Sequence, residues 1–207
     1  MKDGTIVINT DDALQGTKIV VEDIPTFELV SGDDPILRKG TQMFDFANPP
    51  VDPNAFASSL VETCKKNNGI GLAAPQCGFS YRVFVIGVND NYVAFFNPEI
   101  ISISERMVTI EEGCLSFPYM FAKISRAESC TVRYQDFTGE LHTIELDGMG
   151  ARCFLHEYDH LTGDLFLDKV KPIALSMAKK KRDKILKKIK RVQENERLAA
   201  RNRAKSA

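Results

Sequence analysis

The 207-residue chain lacks any run of 18 or more apolar residues, which argues against a membrane-spanning helix. A secretory leader is not expected either: the opening "MKDGTIVINTDD" has no basic stretch followed by an apolar one. The same stretch is acidic where an organellar transit peptide is rich in Arg and Ser. Nor are there the even, framework-like cysteines of a disulfide scaffold. The five present (Cys64, Cys77, Cys114, Cys130 and Cys153) are odd in number, so reduced thiols in a reducing compartment are expected. No internal repeat is found. These absences predict a cytoplasmic protein without membrane association. The apolar share of 43% is ordinary for a globular protein and sufficient for a sizeable core.

The net charge of −1 conceals an asymmetry. Residues 178–207 carry thirteen Lys and Arg against three Asp and Glu, leaving fourteen basic and twenty-five acidic residues elsewhere. An acidic body therefore carries a basic tail. The first thirty residues hold two alternating runs, "TIVINT" and "TKIVVED", readable as a hairpin or as a mobile arm. "VDPNAFASSLVETCKKN" reads as an amphipathic helix, with Phe56, Leu60 and Cys64 at four-residue spacing and Pro53 near its start. "GIGLAAPQCG" reads as a glycine-bounded loop. "YRVFVIGV" and "YVAFFNP" read as strands paired across "NDN", and further strands are expected in "EIISISERMVTI", "ESCTVRYQD" and "GELHTIELD". After Asp147-Gly148 a largely buried helix begins, and after Lys171-Pro172 a long basic one. Strands followed by a buried helix predict an α+β fold, its antiparallel sheets packed around a central helix, with a basic helix at the C-terminal end.

That buried helix contains "HEYDH". Residues four apart share a helical face, so His156 and His160 can present two imidazoles to one cation. Glu157, offset by about 100° from His156, would stand beside the metal as a base. The flanking "CFL" and Leu161 bury the segment, and buried imidazoles and carboxylates need partners. Asp159 either orients a ligand, pairs with an arginine such as Arg126, or faces solvent.

An open catalytic site needs a third protein ligand. Cys153 is seven residues from His160, a rise of about 10 Å along the helix, too far for a short thiol. It is better suited, with Met149, to the wall above the site. His142 falls on an expected strand and reads as an exposed sheet residue. Cys114 in "EEGCLSFP" is the better candidate: Gly113 permits an unusual backbone path, and Leu115 and Phe117 can anchor the segment. On its own, Cys114 could equally be a small buried hydrophobe.

The segments "GIGLAAPQ", "EGCLS" and "HEYDH", in that order and at those separations, closely resemble the motif set of peptide deformylases. The resemblance runs from about Leu29 through Asp168 and divides the chain into an extension (1–28), a deformylase-like catalytic domain (29–170) and a basic helix or tail (171–207). It implies metal-dependent hydrolysis of the N-formyl group from N-terminal formyl-methionine of nascent chains. It implies one divalent ion on Cys114, His156 and His160, typically ferrous iron in this family, with zinc or nickel tolerated. Glu157 is then the acid–base, and the Gln76 amide and the backbone N–H of Leu115 are the oxyanion donors. The backbone around Ile70 and Gly71 would pair with the substrate as an added strand, while Ile70, Ile110, Met149 and Cys153 would line a pocket for the methionine side chain. The chain departs from the family pattern at Leu155, where Gln is common, and at Phe121, where relatives carry a basic residue.

The basic tail, with Ile185, Ile189 and Val192 at helical spacing, is readable as a solvated helix or as a contact for polyanions. Some deformylases are similar in docking on the ribosome through a basic C-terminal helix, which points to ribosomal RNA as a partner of 178–207. Two other functions compete: a metallopeptidase built on the same helix, and a ribosome- or RNA-binding protein with a vestigial site. The cysteine motif disfavours the first, and the complete set of ligands with Glu157 disfavours the second.

Overall fold

A computed structural model describes residues 24–88 and 91–205. Helix α1, Pro53–Lys66, starts where Asp52 accepts a 2.7 Å bond from the Ala55 N–H and Pro53 sits at the first helical position. It buries Phe56, Leu60 and Cys64, the face that the four-residue spacing predicts. Seven strands follow: β1 Gly71–Ala73, β2 Val83–Val88, β3 Asn91–Ile103, β4 Met107–Gly113, β5 Phe121–Ala127, β6 Ser129–Gln135 and β7 Leu141–Asp147. Helix α2, Gly148–Thr162, ends at Gly163 in the left-handed conformation, and helix α3 runs Pro172–Lys205.

Five strands form one antiparallel sheet in the order β1-β2-β3-β6-β7, and β4 and β5 form a separate antiparallel ribbon. The inner face of the large sheet contributes Phe84, Phe95, Cys130, Val132 and Leu146 to a core shared with Ala151, Phe154 and Leu161 of α2. Helix α2 is thus buried between the sheet and the ribbon, with Arg126 of β5 reaching its Leu155 carbonyl at 3.1 Å. The architecture is the mixed helix and antiparallel sheet that the strand–helix order predicts.

Several local readings differ from the structure. "GIGLAAPQCG" is not a plain loop: Gly71–Ala73 is a buried strand and Ala74–Cys77 a 3-10 turn, because Leu72 and Ala73 pack in the core and pair with Val85 and Phe84. "EIISISERMVTI" reverses between Ile103 and Met107, so it belongs to two strands in different sheets. Strand β5 was not expected, since Lys123, Ser125 and Arg126 obscure its alternation; Ala122, Ile124 and Arg126 nonetheless face inward. Gly113 does not adopt a left-handed backbone. Its missing side chain makes room for the Phe121 ring opposite, which a Cβ would meet at 2.7 Å.

The hairpin or arm expected in 1–28 lies largely outside the described residues, as does most of the "NDN" turn. Phe27 already packs against Phe56 and Phe79, and its N–H reaches the Thr63 hydroxyl at 2.8 Å. Contacts with the body therefore begin inside the stretch set aside as an extension. In α3, Ala178, Arg182, Ile185 and Ile189 are half-buried, whereas every residue of 190–198 is exposed. Val192, grouped with the apolar stripe by spacing, is 47% exposed because the helix has by then left the body. Among the described residues no helix is long and apolar enough to cross a membrane.

Candidate active site

The site forms where α2 passes the end of β4. His156 and His160 project from one face of α2, and Cys114 follows directly on β4. Donor atoms of the three residues lie within 4.8 Å of one another, and Cys114 Sγ is 3.3 Å from His160 Nε2. Two imidazoles and a thiol at this separation fit a single borderline or soft divalent ion. Cys153 stands apart from this group, its thiol directed at the Ile70 carbonyl, 3.4 Å away.

One donor, His156, is held from behind. Glu112, two residues before Cys114, accepts from His156 Nδ1 at 3.0 Å and would leave Nε2 to a metal. The Glu112 carboxylate is clamped by two buried guanidiniums: Arg126 donates at 2.7 and 3.0 Å, and Arg152 at 2.6 Å. Arg126 also bonds Asp159 at 2.9 Å, so Asp159 takes the arginine-pairing place among its three readings. Burial raises the Glu112 carboxyl, but bonds from His156 and Arg126 outweigh it and bring it down to about 2. Burial disfavours a charged His156, yet bonds to Cys114 and Glu112 prevail and push it up to about 10. A metal held there would take the place of that proton. His160 is drawn the other way, well below its ordinary value, by burial and by the neighbouring charges of His156 and Arg126.

Glu157 is fully enclosed. Burial pushes its carboxyl up to about 7, against the pull of His156 and Arg126. Its Oε2 has no hydrogen-bond partner among the described residues, and neither has His160 Nδ1. Gly71 lies directly over this carboxylate: a Cβ there would sit 2.4 Å from Glu157 Oε1 and 2.8 Å from Cys153 Sγ. Only glycine allows β1 to pass so close. Gln76 is buried, with its Oε1 accepting from the Ala73 N–H at 2.8 Å. That bond turns the amide Nε2 toward the donors, 3.3 Å from Cys114 Sγ and 3.4 Å from Ser116 Oγ. Leu115 is half-buried, its side chain beside Gly69.

Comparison with known proteins gives the chain its family. The family model described as polypeptide deformylase matches residues 26–176. The chain belongs to the peptide deformylase family. A peptide deformylase of Thermotoga sp. (strain RQ2) is 40% identical over 162 residues, spanning 76% of this chain and 95% of the relative. The crystal structure of the peptide deformylase from Thermotoga maritima superposes with a TM-score of 0.66 at 40% identity, covering 71% of this chain and 99% of that one. That of a peptide deformylase from Legionella pneumophila gives 0.70 at 34% identity, covering 82% and 98%. The enzyme is thus a hydrolase that removes formyl groups from nascent peptides, and the metallopeptidase and vestigial-site readings fall away.

The residues expected to line a methionine pocket divide. Cys153 is buried beside Gly71, while Ile70, Ile110 and Met149 are 53%, 40% and 50% exposed and so are not core. Ile110 shares its face of β4 with Glu112 by strand alternation. Glu112 and Arg152 were missed in the sequence. The available signal was a charge-rich pair, Glu111-Glu112, beside the cysteine motif, and a lone arginine in the apolar run of α2.

Proposed function

We propose that Cys114, His156 and His160 hold one divalent ion and that Glu157, Gln76 and Leu115 perform formyl hydrolysis beside it. The observation that carries this reading is the pairing of a two-imidazole, one-thiol donor set with a buried, unpartnered carboxylate from the same helix. Iron(II) is the ion proposed in cells, with zinc or nickel able to occupy the same donors. Bound there, the ion supplies Lewis acidity to the formyl oxygen and to a water molecule. Glu157 accepts the proton of the attacking water and returns it to the leaving amine, a task suited to a carboxyl whose burial brings it near neutrality. The Gln76 amide, locked by its bond to Ala73, and the Leu115 N–H donate to the oxygen that gains charge.

Strand β1 is at the edge of the five-stranded sheet, with β2 on one side and no strand on the other among the described residues. This supports an extended substrate adding to Ile70 and Gly71 through main-chain bonds, which reads peptide shape without reading later side chains. Ile70, Ile110, Met149 and Cys153 would receive the methionine side chain. Five free thiols support action in the reducing cytoplasm.

The test is hydrolysis of formyl-Met-Ala-Ser by protein loaded anaerobically with iron(II), beside Glu157→Ala with its metal content measured. Full metal occupancy with activity reduced at least about a hundredfold is expected for the variant. Comparable activity would remove Glu157 from the mechanism.

The exposed basic turns of α3 support contact with ribosomal RNA. Replacing Lys187, Lys188, Lys190 and Arg191 with Gln should weaken co-sedimentation with ribosomes at matched salt while leaving peptide hydrolysis intact. Unchanged co-sedimentation would end that assignment.

A further inference from the structure

We infer that Tyr92 is a positioning residue for substrate binding, acting through the Gly69 carbonyl on the edge strand. Gly87 of β2 and Tyr92 of β3 stand directly opposite each other. The tyrosine ring lies flat over the glycine, since a Cβ on Gly87 would meet three ring atoms at 2.5 to 2.7 Å. An aromatic ring covering a cross-strand glycine shields the exposed backbone and fixes the ring's own direction. So directed, the Tyr92 hydroxyl donates a 2.8 Å bond to the Gly69 carbonyl. The Gly87 N–H donates a 2.9 Å bond to the next carbonyl, that of Ile70. One cross-strand pair therefore anchors two successive carbonyls at the entrance to β1.

The segment so anchored needs anchoring. It leaves α1 through Asn68, a non-glycine residue at φ 55°, and so holds a backbone conformation that L-residues rarely adopt. Gly69 is then threaded between Leu115 and Cys64, whose Cδ1 and Sγ a Cβ would meet at 2.8 and 2.9 Å. Lys65 Nζ stands over the Tyr92 ring, 5.5 Å from its centre. Tyr92 also bonds the buried Cys64 thiol, which ties it to α1. Its effect falls on where Ile70 and Gly71 present their backbone.

This inference rests on the reading that Ile70 and Gly71 pair with the substrate backbone, and the experiment separates the two. The metal-loaded, full-length enzyme is assayed with formyl-Met-Ala-Ser and with analogues in which each backbone amide after the methionine is replaced in turn by an ester. Tyr92→Phe keeps the ring over Gly87 and removes only the hydroxyl. It should raise KM about fivefold, through loss of the partly buried bond to the Gly69 carbonyl, with kcat within about twofold of wild type. The KM penalty of the most sensitive ester should shrink in the same variant. Gly87→Ala, which drives the ring off its seat, should move KM in the same direction. If the wild-type enzyme treats esters and amides alike, the strand-pairing reading fails. If it discriminates, but Tyr92→Phe leaves KM unchanged or lowers kcat alone, the role of Tyr92 is overturned.

Discussion

Glu112 shows how one side chain can set the chemistry of another. Its carboxylate meets two guanidiniums and one imidazole, all buried, and so gives His156 a fixed ring orientation and a fixed tautomer. Glu112→Ala leaves Arg126 and Arg152 without their shared partner, which should cost about 3–5 kcal/mol of stability by thermal or denaturant unfolding. Metal affinity, measured by competition with a chelator, should fall about 10–100-fold. Thiol reactivity should separate Cys114 from the other cysteines. Burial pushes Cys64, Cys77 and Cys130 up to about 12 and Cys153 well above its ordinary value. At pH 8 the thiolate fraction of the first three is then on the order of one in ten thousand. The native metal-free protein should therefore show one fast-reacting thiol, Cys114, and zinc should protect it; two fast thiols in the native protein would contradict this assignment.

The legible elements of the site were the local ones. His156, Glu157 and His160 lie on a single helix, so their shared placement follows from its pitch, and Cys114 became legible through the ordered motifs. Glu112 and Arg152 did not, because their partners come from β4, β5 and α2, 14 and 40 residues apart for the two arginines. A glutamate on a short strand reads as solvent-facing until the strand's partner is known. Helices with caps and clear periodicity, α1 and α2, were readable for the same reason that local forces form them. Asp52→Ala tests that directly: removing the side chain that caps α1 should cost about 1 kcal/mol in unfolding free energy with kcat unaltered. Strand β5 escaped because a buried ion pair replaces the apolar residue that alternation requires at Arg126.

For the molecule as a whole, the central fact is that α2 is both a core element and the bearer of His156, Glu157 and His160. One face fills the sheet with Ala151, Phe154 and Leu161 while the adjacent face carries the donors. The proposed catalytic groups are thus as fixed as the fold itself. The open edge at β1 has the opposite character. An unpaired strand edge attracts any extended chain, including a copy of its own protein, and is a common origin of aggregation. Here the edge is three residues long, too short to template a stable intermolecular sheet, and Gly71 offers no side chain for a second copy to grip. The brevity of β1 is a form of self-protection: it leaves room for one short visitor and gives a persistent one too little to hold.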